Sequence, residues 1–97
     1  MNISNQLVVV IPVYNEEKTI EKVIRNIKSL GYQILVINDG STDNTLNILE
    51  SLEINIFNNQ TNKGYDRTLS RGINLAFKNG AKFVITCDAD GQHLLKD

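Results

Sequence analysis

Apolar positions along this chain fall into two alternating kinds of segment. Leu7-Val-Val-Val-Ile11 and Ile34-Leu-Val-Ile37 are short, unbroken, mostly β-branched runs, the pattern of strands buried on both faces. Pro12 is expected to end the first, because proline donates nothing to a strand ladder. Between the two runs, Ile20, Val23, Ile24, Ile27 and Leu30 recur at helical spacing. Asn15 is a candidate cap for that helix, Glu16 and Glu17 suit its positive end, and Gly31 is its stop.

The cycle then repeats. Asn38-Asp39-Gly40 is a turn signal. Ser41 or Thr42 is expected to cap a second helix carrying Leu46, Leu49 and Leu52. Ile54-Asn-Ile-Phe57 alternates, as a more exposed edge strand does. Asn58 to Gly64 reads as a polar loop. A third helix is predicted from Asp66 to Lys78, burying Leu69, Ile73, Ala76 and Phe77, with Gly80 as its stop. Lys82 to Cys87 closes the series as a fourth strand.

Strands alternating with helices predict an α/β fold, a Rossmann-like three-layer α/β/α arrangement around a parallel sheet. Right-handed crossovers place strands two and three to one side of strand one and the fourth on the other, giving the order 3-2-1-4. The switch point then lies between strands one and four. Ligands of such sheets bind there, beyond the carboxyl ends of the strands. The residues so placed are Pro12 to Asn15 and Asp88-Ala89-Asp90, with Asp39 beside them.

Composition narrows the picture without redirecting it. The 97 residues allow one domain, and 41% hydrophobic with 22% charged is ordinary for a globular chain. A net charge of −1 offers no attraction to nucleic acid or an anionic membrane. Cys87 is the single cysteine, so no disulfide forms within the chain, and a cytoplasmic location is expected. The first residues lack the basic and then apolar pattern of a signal peptide. No apolar run is long enough to span a bilayer.

The chemistry concentrates at the strand ends. Two carboxylates one residue apart in extended backbone point the same way and repel unless a cation lies between them. Hard oxygen donors of this kind suit Mg²⁺ or Mn²⁺, which share such sites with phosphate oxygens. A solvated acidic turn is the plainer reading of Asp88 and Asp90, and the switch-point location favours the metal–diphosphate one. Asp39 can accept from the N–H groups of a base, or can simply close a turn. Tyr14 can stack on a base or pack. Lys63, Arg67 and Arg71 can meet phosphate oxygens or form a solvated helix face. No second cysteine or histidine completes a zinc set with Cys87 or His93, and Cys87 reads as core. Ser41 has no neighbouring histidine, so a hydrolase triad has little support.

Four segments, "VVVIPVYNEE", "VINDGSTDNT", "NKGYDRTLSRGINLA" and "VITCDADGQH", occur in order at suitable spacings. Together they resemble the N-terminal, nucleotide-sugar-binding half of a family-2 glycosyltransferase of the GT-A fold. The polyprenyl-phosphate group, similar to dolichol-phosphate-mannose synthase, is the nearest in flavour. The resemblance runs from about Leu7 to His93. It implies that Pro12, Tyr14 and Glu16 line the nucleotide pocket, that Asp39 reads the base, and that Lys63 and Gly64 sit by the nucleotide. Asp88 would serve the ribose or the metal, Asp90 the metal, and Gln92 would add a ligand. The implied partners are a UDP- or GDP-sugar, Mg²⁺ or Mn²⁺, and a polyprenyl phosphate or glycan acceptor, with inversion at the sugar. Asp66-Arg67 and Leu94-Leu95 depart from the family pattern.

By the same resemblance, residues 1–97 are expected to be a donor-binding part truncated after the Asp-x-Asp pair. The acceptor site and catalytic base would lie in a missing half, leaving this part inactive. The parent protein would be membrane-associated, and the bare fourth-strand edge would promote self-association. The alternatives are a non-catalytic nucleotide-binding or interaction module complete at this length, and a receiver-like domain phosphorylated on a strand-end aspartate. The latter leaves Asp-Gly-Ser-Thr-Asp and the Asp-x-Asp-Gly-Gln-His ending without a role.

Overall fold

A computed structural model describes residues 6–90 of the chain. Seven elements alternate: β1 (Leu7–Val13), α1 (Ile20–Ser29), β2 (Gln33–Asn38), α2 (Thr45–Glu50), β3 (Asn55–Asn58), α3 (Tyr65–Lys78) and β4 (Phe83–Thr86). The four strands form one parallel sheet in the order β3-β2-β1-β4, as the crossover rule predicts.

Strand alternation divides the core into two layers. Val9, Ile11 and Val13 of β1 and Ile34 and Val36 of β2 face α1 and α2, where Ile20, Ile24, Ile27 and Leu49 meet them. Val8, Val10, Leu35 and Ile37 face the other way, toward Ala76 of α3. β1 and β2 are buried on both sides, which is why their sequences are unbroken apolar runs. The architecture is therefore the expected three-layer α/β/α.

β1 does not stop at Pro12. It pairs with β2 through Val13, opposite Asn38. The Val10 carbonyl accepts from Cys87 N–H on the β4 side, and the Val13 carbonyl accepts from Asp39 N–H on the β2 side. Pro12, two residues from Val10, thus turns its missing donor toward β4. The β1–β4 pairing ends at Val10 and Thr86, so no rung is lost.

The helix boundaries also differ from expectation. Asn15 does not cap α1. A turn closed by Glu16 carbonyl separates them, accepting from Thr19 and Ile20 N–H at 3.1 and 2.9 Å, and Thr19 is the N-cap residue. Ser41 and Thr42 do not cap α2, which begins after Asn44. Leu30 lies past the end of α1 and is exposed, because Gly31 at φ 87° turns the chain away there.

On α3 the buried stripe is Thr68, Gly72 and Ala76, with Leu69, Leu75 and Ile73 half-buried beside it. Phe77, expected in the core, is 48% exposed. The stripe shifts because Gly72 lets the helix settle onto the sheet. A Cβ at Gly72 would lie 2.5 Å from Val10 Cγ1 and 2.8 Å from Ile37 Cγ1. β4 is shorter than predicted and half-exposed, with Phe83 at 61%. Among the described residues it is an edge of the sheet, as β3 is the other. Among the same residues, no helix is long and apolar enough to cross a membrane.

Candidate functional site

Where β1 outruns β4, the strand ends part and leave a cleft of about 570 Å³. It opens at the carboxyl ends of the strands, at the switch point between β1 and β4. Pro12, Tyr14 and Glu16 line it from the β1 end, Asp39 from the β2 end, Gly64 from the start of α3, and Asp88 and Asp90 from the segment after β4. The structure thus brings these seven predicted residues to one place. Val13, Asn62, Tyr65, Thr68 and Ala89 join them.

Asp39 is 3% exposed and is the organising group. Its Oδ1 accepts from Asn59 Nδ2 and from Lys63 N–H, both at 2.8 Å, and its Oδ2 accepts from Gly64 N–H at 3.0 Å. Asn59 Nδ2 also reaches Thr68 Oγ1 at 3.2 Å. Burial works against the charge on Asp39. The hydrogen bonds from Asn59, Lys63, Thr68 and Gly64 outweigh it and hold the carboxyl below its ordinary value. One carboxylate therefore fixes the whole Asn59–Gly64 loop against the end of β2. Gly40 makes room for this loop: at φ 74°, a Cβ there would press on Asn62 N at 3.0 Å.

Tyr14 and Glu16 are placed by a second network. Asn15 takes a left-handed φ of 52°, a conformation that asparagine tolerates better than most residues. Its Oδ1 accepts from Thr42 N–H at 2.7 Å and Asp43 N–H at 3.3 Å, and its own N–H donates to Ser41 Oγ at 2.9 Å. Glu16 N–H donates to Thr45 Oγ1 at 3.0 Å. Thr45 in turn donates to Asp43 through both backbone and hydroxyl. Asp43 sits below its ordinary pKa: some desolvation opposes it, and the bonds from Thr45 and Glu17 prevail. Polar residues read locally as helix caps thus lock two loops together.

Asp88 and Asp90 lie beyond the end of β4, with Ala89 and Asp90 in a turn rather than in extended backbone. Both still line the cleft. Tyr65 Oη donates to Asp88 Oδ1 at 2.9 Å. That bond, then burial and the charges of Asp88, Asp66 and Asp90, push the phenol upward, so it remains a donor at neutral pH. Cys87 is buried as expected, and burial followed by the two neighbouring carboxylates raises its thiol pKa.

Other predicted residues fall elsewhere. Lys63 contributes its backbone N–H to Asp39, and its exposed side chain is not part of the cleft lining. Arg67 and Arg71 line a different depression on the outer face of α3, where Arg71 stacks on Phe57 at 4.7 Å. Gln92 and His93 lie outside the described residues. Tyr65 carried no signal beyond its place next to Gly64, and Thr19, whose hydroxyl reaches Ala89, carried none.

Among the described residues no group of three His, Cys, Asp or Glu side chains converges for a metal. Two carboxylates on one cleft wall nonetheless fit a hard divalent cation that completes its shell with water and phosphate oxygens. The donor set is compatible with Mg²⁺ or Mn²⁺ and not with a soft-metal site.

An open parallel sheet with acidic and polar side chains gathered at its switch point defines a Rossmann-like α/β domain of the GT-A kind. Residues 8–96 match the family model of Glycosyl transferase family 2, and the chain belongs to that family. It is 39% identical over 94 residues to an uncharacterized protein of Methanocaldococcus jannaschii, covering 96% of this chain and 39% of that one. It is 34% identical over 106 aligned residues to the UDP-N-acetylglucosamine–dolichyl-phosphate N-acetylglucosaminyltransferase of Methanococcus voltae, covering 91% and 42%. Among solved structures, glucosyl-3-phosphoglycerate synthase of Mycobacterium tuberculosis in complex with UDP superposes with a TM-score of 0.74 at 28% identity, covering 90% of this chain and 34% of that one. The same enzyme has been solved with Mn²⁺, UDP and phosphoglyceric acid. The chain spans about two fifths of the length of these curated relatives.

Proposed function

We propose that residues 1–97 are the donor-binding part of a sugar transferase. The donor would be a nucleoside-diphosphate sugar, UDP- or GDP-linked, and the acceptor a polyprenyl phosphate or glycan, with inversion at the transferred carbon. The observation that carries this reading is the convergence of four sequence segments on one cleft at the switch point. The names of the relatives support it: the Methanococcus voltae enzyme is named for UDP-N-acetylglucosamine and dolichyl phosphate, and the structural neighbour was solved with UDP.

In this reading Tyr14 and Pro12 flank the base, and Glu16 closes the same wall. Asp39 presents the remaining face of a fixed, ionised carboxylate to the base while holding Gly64 in place. Asp88 and Asp90, with Gln92 beyond the described residues, would hold Mg²⁺ or Mn²⁺. When bound, that cation supplies Lewis-acid neutralisation of the leaving diphosphate. The acceptor's base would come from sequence outside this chain, which leaves the chain alone inactive. A cytoplasmic location, with a membrane-associated parent, accords with Cys87 being the single cysteine of the sequence and with lipid-linked acceptors. Self-association through the outer edge of β4 accords with the exposure of Phe83 there; a concentration-independent monomer in light scattering would overturn it.

The site is tested by calorimetric titration of UDP and of GDP with and without Mn²⁺. One nucleotide should bind in a Mn²⁺-dependent way, and Asp90→Ala should abolish the metal-dependent part. Binding that ignores both Mn²⁺ and the substitution would sink the assignment.

A further inference from the structure

The Asp88-Ala89-Asp90 segment is gripped from both helical layers. From the α3 side, Tyr65 Oη holds Asp88 Oδ1 at 2.9 Å. From the α1 side, Thr19 Oγ1 donates to the Ala89 carbonyl at 2.7 Å, across seventy residues of chain. Between them the Ala89 methyl is buried in the α1–α2 side of the core. A segment outside any strand is thereby fixed at three successive levels: side chain, backbone carbonyl and buried methyl.

The Thr19 bond is informative because of what it forgoes. Thr19 is the N-cap residue of α1, and threonine at that position ordinarily turns its oxygen to the first free N–H groups of its own helix. Here it makes no such bond. Its one hydroxyl proton goes to the Ala89 carbonyl, with Glu16 Oε2 the more distant alternative at 3.4 Å. Tyr65 is comparably placed. The residue is 55% exposed, so burial does not explain its position, and its hydroxyl donates to a carboxylate lining the cleft.

We propose that Thr19 and Tyr65 are positioning residues that brace the acidic segment from opposite faces of the sheet and set its affinity for a divalent cation. The inference rests on the donor-site reading above. Tyr65 occupies one oxygen of Asp88, so that the other would be the one left to hold a cation. Thr19 fixes the turn that carries Asp90 relative to Asp88. Groups that orient metal ligands in this way typically govern affinity by about 10- to 100-fold.

The test compares the wild-type chain with Tyr65→Phe, Thr19→Val and Thr19→Ser. Mn²⁺ binding in the presence of UDP is followed by electron paramagnetic resonance, and UDP binding without metal by calorimetry. A second readout is the tyrosine absorption change on adding Mg²⁺ and UDP, tractable because the chain has three tyrosines and no tryptophan. Tyr65→Phe and Thr19→Val should each weaken Mn²⁺ binding about tenfold; Thr19→Val, outside the cleft lining, should leave metal-free UDP affinity unchanged, and Tyr65→Phe should lower it less than it lowers Mn²⁺ affinity. Thr19→Ser should restore Mn²⁺ binding, and the part of the absorption change that depends on Mg²⁺ should vanish in Tyr65→Phe, leaving the part that UDP alone causes at Tyr14. A purely structural role would instead lower metal-free binding and thermal stability together. Equal Mn²⁺ affinity in all four chains overturns the brace while the donor site stands. Absence of Mn²⁺-dependent UDP binding in the wild type overturns the donor site itself.

Discussion

Asp39 Oδ2 accepts the Gly64 N–H at 3.0 Å, tying the end of β2 to the first residue before α3. With Lys63 N–H on the other oxygen, this carboxylate does for the loop what a turn of backbone would otherwise have to do. Asp39→Asn would set an amide N–H₂ against a backbone N–H. A loss of about 1–3 kcal/mol is expected, the usual penalty for stranding a buried donor. Because its folded pKa lies below the ordinary 3.8, Asp39 stabilises the fold at pH above that value. The contribution fades as pH falls through the depressed folded value. Urea midpoints of wild type and Asp39→Asn should therefore differ most at neutral pH and converge in strong acid; a gap that widens on acidification would contradict the assignment.

Asn15 should matter for two separable reasons. Its left-handed backbone is matched by glycine, but the bonds to Thr42, Asp43 and Ser41 include side-chain ones that glycine lacks. Asn15→Gly should keep the turn yet lose roughly 0.5–1.5 kcal/mol and weaken nucleotide binding by loosening Tyr14 and Glu16. Asn15→Ala should be worse than Asn15→Gly in a denaturation series. The reverse order would mean that the backbone conformation is not the constraint.

Gly72→Ala tests the seat of α3. On an open helix the change would stabilise by about 1 kcal/mol. Here the new methyl meets Val10 and Ile37 side chains at less than 3 Å, and overpacking of this kind costs about 1–3 kcal/mol. A lower melting temperature is expected, and Gly72→Val should lower it further. A stabilised Gly72→Ala chain would show that the helix lifts without strain.

Cys87 should be inert in the folded chain. It is buried, and burial together with Asp88 and Asp90 disfavours its thiolate. Reaction with an aromatic disulfide reagent should be slow in buffer and fast in denaturant. Rapid labelling of the native chain would show that the segment after β4 opens readily.

The layers and strand order were legible because they follow from long-range rules that leave local marks. A β-branched run such as Leu7–Ile11 has few other uses, and crossover handedness then leaves little choice of order. Tyr14, Asp39, Asp88 and Asp90 were legible through their positions at strand ends. The caps were not. Asn15, Ser41 and Thr42 have the composition of helix caps, but Asn15 bonds to Ser41 and Thr42 across 26 and 27 residues, where no local pattern reaches. Phe77 was misplaced because helical spacing alone cannot foresee that a glycine draws the helix closer and rotates its buried stripe. Thr19 and Tyr65 left no trace for the same reason as the caps: their partners are distant in sequence.

Pro12 has a wider consequence. Extending the β1–β4 register by one rung would bring an N–H at position 12 to the Cys87 carbonyl. Proline withholds that hydrogen, so the two strands cannot zip further toward their carboxyl ends. The residues after Cys87 are left to be claimed by side chains from the helices instead of by the sheet. A single absent proton thus keeps the fork open, and the volume available to a ligand is written into the backbone before any side chain lines it.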